Sequence, residues 1–438
     1  MSLLRLAIPI LIEQVLRSLM GTVNTFMLSR ISDNAAAAVG VANQILNIVI
    51  TASTMISTGA AVLINQNLGA GHDRRAAQIT MNAITVTGMI GAILSIIAVV
   101  LAEPLVRAVG LEDALVGDAT AYLRIVGASC FIQFVSTMIS TVFRCHGRTI
   151  IPMFVIVFNN CINVAGSLLV IGGHLPISGV AGIASVRLIA ETLGLLLIIF
   201  LLSRENWGLE RADLFRLERY DAFTILRLGF MSGLEGISYM SAQLVTTGFI
   251  TSFSAAVLSA KVYTQSVNNY TYVAGMAIGS AAQIMAGHMI GAGDTEGAYK
   301  FMRKAWLYVL GLNLIGSVIF FLNSRSIIGL FTDSEEIKNI ARTLFMIDIA
   351  TCLGRSMNHS FNFGLRAAGY VFWPMIISSV SIWLIQVVFG YFITVPLGLG
   401  VIGLWIGQAS DEWLRGLCAC FLWMKKKWTR TDLVSERK

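Results

Sequence analysis

The chain has 438 residues, 56% of them hydrophobic and only 13% charged, with a formal net charge of +7. A soluble globular chain carries about 25% charged residues, so the composition excludes a water-facing surface over most of the molecule; the mean hydropathy of +0.76 agrees. The basic excess alone would admit a nucleic-acid partner, but its distribution along the chain argues against one.

Thr80–Ala102 holds 23 residues without an ionisable group, and ~20 apolar residues cross a bilayer core. Inside lipid each backbone N–H and C=O must bond internally, which leaves helices or closed barrels. These runs are too long and too evenly apolar for barrel strands, whose side chains alternate. In chain order the expected spans are 3–29, 35–68, 79–102, 117–143, 150–173, 180–202, 223–252, 256–290, 302–323, 337–363, 371–394 and 400–424. The expected fold is an all-α integral membrane protein with twelve transmembrane helices in two six-helix bundles. Residues 1–202 form the first bundle, 203–222 a cytoplasmic linker, and 223–438 the second bundle with a short basic tail. One side of the membrane then receives 20 of the 31 basic residues, Arg74, Arg75, Arg144, Arg148, Arg366 and Lys425 among them. The positive-inside rule places both termini in the cytoplasm, across the cell's inner (plasma) membrane. The six cysteines sit in or beside spans, form no disulfide-type spacing and read as packing thiols.

A displacement of 222 residues maps the sequence onto itself. Leu4-Arg5-Leu6 meets Leu226-Arg227-Leu228, Glu13 meets Glu235, Asn47 meets Asn269, and Gly69-Ala70-Gly71 meets Gly291-Ala292-Gly293. Pro152-Met153 meets Pro374-Met375 and, with one residue removed, Glu191 meets Glu412. An even number of spans per repeat gives parallel repeats related by a pseudo-twofold axis along the membrane normal. Such a duplication can enclose a cleft opened alternately to either side, which favours transport over a receptor or scaffold.

Several of these segments resemble the multidrug and toxic compound extrusion (MATE) transporters. They are Ala7-Ile8-Pro9, Val23-Asn24-Thr25-Phe26-Met27-Leu28, Phe143-Arg144-Cys145-His146-Gly147, Gly287-His288-Met289-Ile290-Gly291-Ala292-Gly293-Asp294 and Leu365-Arg366-Ala367-Ala368-Gly369. The resemblance covers essentially the whole chain and implies a twelve-helix exporter that exchanges organic molecules for Na⁺ or H⁺. It also marks departures. A first-helix aspartate of the family falls on Asn24, a tenth-helix aspartate on Arg355, and a seventh-helix glutamate near Tyr239.

An ionisable group at mid-membrane costs about 2.5–3.5 kcal/mol on insertion scales, so each calls for a partner or a purpose. Glu13 has Arg17 one turn on along its own face. Glu235 repeats Glu13 without an adjacent arginine, which makes it the first ion-coupling candidate, with Glu13 and Asp348 behind it. Asp348, Cys352, Arg355 and His359 share one helix face and should line the cleft or a seam. Arg187/Glu191 and Asp411/Arg415 read as structural i,i+4 pairs, and Lys261 as a snorkelling residue. The uncharged candidates for the substrate cavity are Asn43 and Asn47, their repeat mates Gln265 and Asn269, then Tyr272, Asn159 and Asn163. Amides also glue membrane helices together. Arg17, Asn24, Tyr239 and Arg355 complete that set.

No Gly-x4-Gly-Lys-Ser/Thr run, catalytic constellation or metal-ligand spacing occurs in the sequence. The expectation is a non-enzyme: a secondary active exporter of drug-type small molecules with no cofactor beyond its coupling ion. Its partners are membrane lipid and a small-molecule substrate, without nucleic acid, and it acts as a monomer. The alternatives are a flippase for lipid-linked saccharide or lipid and, from another class, an intramembrane lipid-modifying enzyme.

Overall fold

The computed structural model describes residues 2–434 except 31, 110, 112, 175, 176, 178, 251, 252 and 432, and leaves eight further side chains undescribed (22, 25, 29, 33, 114, 211, 215 and 250). The first half comprises α1 (Leu3–Ser29), α2 (Asp33–Gly69), α3 (Asp73–Val100), α4 (Ala102–Ala108), α5 (Asp113–Ala128), α6 (Cys130–Cys145), α7 (Ile150–Ile171) and α8 (Gly179–Ser203). The second comprises α9 (Arg219–Ile250), α10 (Ala255–Gly291), α11 (Thr295–Leu322), α12 (Ser324–Gly329), α13 (Glu335–Ala367), α14 (Phe372–Ser381), a π-helical stretch Ile382–Phe389, α15 (Gly390–Thr394) and α16 (Gly400–Met424).

Seven of these helices, and an eighth span formed by α14, the π-helical stretch and α15 together (Phe372–Thr394), are long and apolar enough to cross a membrane; α5 with α6, bent by 44°, makes a ninth passage. The helices α9, α13 and α16 are as long but more polar, because the buried charges sit on them. Among the described residues the architecture is all-helical.

The repeat is written into the backbone. Helices α2 and α10 are both 37 residues long, and each is capped by a serine (Ser32, Ser254) whose Oγ accepts the N–H of the residue three further on. Both α3 and α11 have 28 residues and lead into a short helix. The Gly-Ala-Gly motifs end α2 and α10 in the same way. Gly71 and Gly293 sit at φ +75° and +79°, a region open to glycine. Their N–H groups bond the carbonyls of Leu68 and Ile290, so the helix ends are satisfied without water.

The halves also differ. The passage that α13 crosses as one helix breaks at Ser129 in the first half, where Ser129 Oγ donates to Glu191 Oε2 at 2.6 Å. The passage that α7 crosses intact is loosened into a π turn in the second half.

Two compact units emerge, Met1–Leu11 with Met231–Lys438, and Ile12–Phe230. The boundaries lie inside helices, not in the stretch 203–222. The start of α1 belongs to the second-half unit because Leu3, Leu6, Ala7 and Ile10 join its core with Ile278, Met302, Phe361 and Trp423. Within that unit α13 packs against α10, α11 and α16. In the other unit Met27, Leu28, Val39, Tyr122 and Leu123 build a core of α1, α2 and α5. The start of α9 packs here too: a Cβ on Gly59 would stand 2.1 Å from the Ile225 carbonyl oxygen, so the backbones of α2 and α9 touch.

The segment 203–222 is docked rather than free. Arg75 Nη2 meets Asp221 Oδ1 at 2.6 Å, Arg74 Nη1 meets Asp213 Oδ2 at 2.9 Å, and Asn82 donates to the Glu218 carbonyl at 3.0 Å. Trp207 stacks on His146 at 3.7 Å. The tail is anchored as well. Trp428 is fully buried, stacks on Trp423 at 4.1 Å and donates its indole N–H to the Trp423 carbonyl at 3.0 Å.

Candidate functional site

In the unit Ile12–Phe230, Glu13 is 2% exposed and bonds Arg144, from the end of α6, and Arg17 at 3.2 Å. The expected Glu13/Arg17 pair is present, but Arg144 is a partner that the helix periodicity of α1 could not reveal. Asn43 Oδ1 accepts from Arg187 Nη1 at 3.4 Å, and Arg187 also reaches the Tyr122 hydroxyl at 3.0 Å and Glu191 at 3.0 Å. Asn47, one turn on, is exposed. Asn163 is buried and accepts from Ser167 at 3.4 Å. Asn159 fills the space over Gly194, where a Cβ would come within 2.0 Å of its Oδ1. Asn24 is half-buried and turns an unpartnered Oδ1 inward.

In the other unit, Glu235 is held by Arg366 at 2.6 Å and by Arg415 at 3.4 Å. The expectation that Glu235 lacks an arginine is therefore corrected. Its partners come from α13 and α16, invisible to a search along its own helix. Arg415 also binds Asp411 at 2.7 Å and Glu412 at 3.5 Å, and Glu412 in turn takes Arg355 at 3.4 Å and the Asn358 amide at 2.9 Å. Three arginines (355, 366, 415) face three carboxylates (235, 411, 412), so this network is formally neutral. That balance lets four buried charges (Arg355, Asp411, Glu412 and Arg415) and two half-buried ones coexist where any one alone would be costly.

Asp348 stands apart. It is 5% exposed, and its Oδ2 accepts from the Asn268 amide and from the Trp405 indole N–H at 3.2 Å. No cationic side chain lies at ion-pair distance from it among the described residues. Asn268, not singled out in the sequence, is the amide that bonds Asp348, while Asn269 and Gln265 lie on an exposed face of α10, since one residue turns a helix face by about 100°. Arg355 leaves its own-face neighbour Asp348 for Glu412. Cys352 bonds the Ile349 carbonyl at 3.1 Å, and His359 packs edge-on to Tyr272 at 5.2 Å. Tyr239 accepts from Gln243 Nε2 at 2.7 Å.

Lys261 is also corrected. It is 5% exposed and donates to Thr247 instead of snorkelling. It lines a polar pocket with Gln243, Thr246, Gln386, Trp405 and Gln408. Sequence reasoning missed Arg144 and Arg366 as partners of the glutamates, and Asn268, Trp405 and Gln386 altogether. One signal was at hand: Arg144 and Arg366 stand at the same 222-residue offset as Glu13 and Glu235.

Repeated all-helical units with ion pairs set within apolar spans define a polytopic membrane protein. The chain belongs to the MatE family, whose profile matches twice, over residues 9–169 and 232–392. It is similar to the uncharacterized transporter YisQ of Bacillus subtilis, with 35% identity over 99% of this chain and 96% of that one. A probable multidrug resistance protein NorM of Thermotoga maritima is 24% identical over 100% of this chain and 94% of its own. The crystal structure of the Vibrio cholerae MATE transporter VcmN in the bent form superimposes with a TM-score of 0.89 at 19% identity, covering 98% of this chain and 96% of that one. This last likeness is one of fold.

Proposed function

We propose that this MATE-family chain is a secondary active exporter of small organic molecules, driven by H⁺ or Na⁺ antiport through alternating access, with Asp348 as the carboxylate that takes up the coupling ion. The observation that carries the reading is that Asp348 is buried between neutral donors only, while Glu235 and Glu13 already have arginines. A desolvated carboxylate with no cationic side chain in ion-pair contact gains most from an arriving cation. The repeat supports the same choice, because the position equivalent to Asp348 in the first half is Val126. Only one half carries the feature. Relatives bearing multidrug-resistance names support the substrate class, and the lopsided basic residues support both termini in the cytoplasm across the inner (plasma) membrane. The carrier works as a monomer in lipid.

The test is Asp348→Asn in proteoliposomes under an imposed pH or Na⁺ gradient, with ethidium as cargo. Gradient-driven flux should fall to the passive leak; flux equal to that of the unaltered protein rejects the assignment.

A further inference from the structure

The face of α3 that the segment 203–222 covers has a bare counterpart in the second half. Met81 and Asn82 are buried; Asn82 donates to the Glu218 carbonyl at 3.0 Å and Thr85 to that of Leu214 at 2.9 Å. The arginines one and two turns earlier, Arg74 and Arg75, are matched by Glu210, Asp213, Glu218 and Asp221. At the 222-residue offset, Met81, Asn82 and Thr85 become Arg303, Lys304 and Leu307 on α11. All three are exposed. The tail stands in for the covering segment, since Trp428 follows Trp207 by 221 residues. It reaches α11 through Lys426 Nζ, 2.6 Å from Glu296 Oε2, and Glu296 also lies 4.0 Å from Lys300. Arg303 and Lys304 have no carboxylate at ion-pair distance among the described residues. Below them the exposed surface continues on one helix face, with Lys300, Lys304, Tyr308 and Ile315 at spacings of 4, 4 and 7. From Lys304 to Ile315 the helix rises roughly 16 Å, against ~30 Å for a whole hydrocarbon core. The stripe therefore runs the depth of one leaflet.

We infer that this face of α11 binds an anionic phospholipid. The phosphate meets Lys300, Arg303 and Lys304, with the arginine offering a forked pair of donors. The Tyr308 ring lies at the level of the glycerol esters, and Leu307 and Ile315 take an acyl chain. A zwitterionic lipid brings its own ammonium to the same three cations and gains less. A soluble phosphate gains nothing from the apolar part of the stripe. The first half cannot offer the same site, because its own chain already covers and neutralises that face. The inference is independent of which residue couples the ion.

The experiment is native mass spectrometry of the full-length protein in detergent, titrated with palmitoyl-oleoyl phosphatidylglycerol or with phosphatidylcholine of the same chains. The first phosphatidylglycerol should bind at least roughly tenfold tighter, the scale set by two or three cations acting on one phosphate. Lys300→Gln, Arg303→Gln and Lys304→Gln together should erase that preference. Removing three exposed arginines of the other unit, by Arg216→Gln, Arg219→Gln and Arg227→Gln, should leave it. Glycerol phosphate, which carries the phosphate without chains, should not displace the lipid. Equal affinity for the two lipids, an unchanged preference in the α11 variant, or an equal loss in the arginine control overturns the inference. Displacement by glycerol phosphate overturns it too, since a soluble anion would then be the ligand. If the triple α11 variant does not fold, Lys304→Gln alone, which breaks no ion pair among the described residues, should still weaken the preference several-fold, and no weakening rejects the site.

Discussion

Arg366 Nη2 lies 2.6 Å from Glu235 Oε2, and the same contact exists 222 residues earlier between Arg144 and Glu13. Each half thus ties its leading helix to the end of its fourth membrane passage by one partly buried ion pair. The second-half pair is further clamped by Arg415, whereas the first-half pair has only the half-exposed Arg17. The duplication therefore preserved a three-dimensional joint and not merely a pattern of motifs.

Breaking such a joint from one side strands a charge. Glu235→Gln should lower unfolding stability by on the order of 3 kcal/mol, because Arg366 and Arg415 lose a shared carboxylate inside the protein. Glu235→Gln combined with Arg366→Met should recover much of that loss, since two arginines then face two carboxylates and the network is again neutral. Thermal unfolding in detergent, read as a double-mutant cycle, checks it. Additive losses would show that the contact carries no coupling.

Trp405→Phe keeps most of the ring and removes the N–H that reaches Asp348. If Asp348 takes the coupling ion, the concentration of ion giving half-maximal flux should move by roughly tenfold, the scale of one hydrogen bond to a charged group. Maximal flux and melting temperature should change little. Proteoliposome flux measured across a range of Na⁺ and of pH separates these quantities.

Close helix contact predicts which glycines tolerate a methyl group. A Cβ on Gly59 would stand 2.1 Å from the Ile225 carbonyl, and one on Gly229 2.5 Å from the Met55 carbonyl, while nothing lies within 4 Å of one on Gly21 or Gly40. Gly59→Ala and Gly229→Ala should each cost about 2 kcal/mol or more, since backbone has to move apart. Gly21→Ala and Gly40→Ala should be neutral or stabilise by roughly 0.4–1 kcal/mol, because alanine restricts the unfolded chain. Melting temperatures of the four variants provide the comparison.

The basic tail is structural at its root. Trp428→Ala should cost about 3–5 kcal/mol, the range for emptying a fully buried aromatic site, and removal of the chain from Lys427 onward should do the same. Trimming after Arg430 removes Leu433, whose side chain lies against Gly369, and should cost far less, about 1 kcal/mol. Thermal unfolding of the three forms distinguishes a working anchor from a disposable extension.

What the sequence disclosed and what it withheld divide along one line. Span positions and the duplication are carried by periodic, local signals, so α2 and α10 come out within two residues of their expected limits. Partners are not local. Glu235 finds Arg366 131 positions away, and no spacing rule reaches that far. The amide that reaches Asp348 has a geometric origin too: Asn268 is one step round the helix from Asn269, enough to trade an exposed side for Asp348. Lys261 was assigned to snorkel because a long stem near a helix end generally can; Thr247, 14 residues earlier, offers it a nearer oxygen.

The first eleven residues have their packing mates at the far end of the chain, among Met302, Phe361, Trp423 and Trp428. During synthesis the leading turns of α1 must wait in the bilayer until the final helix has emerged. Cutting the gene at the stretch 203–222 would consequently yield fragments that each lack a piece of their own interior. One would miss the start of α9, the other the start of α1, and co-expression should rescue what separate expression cannot.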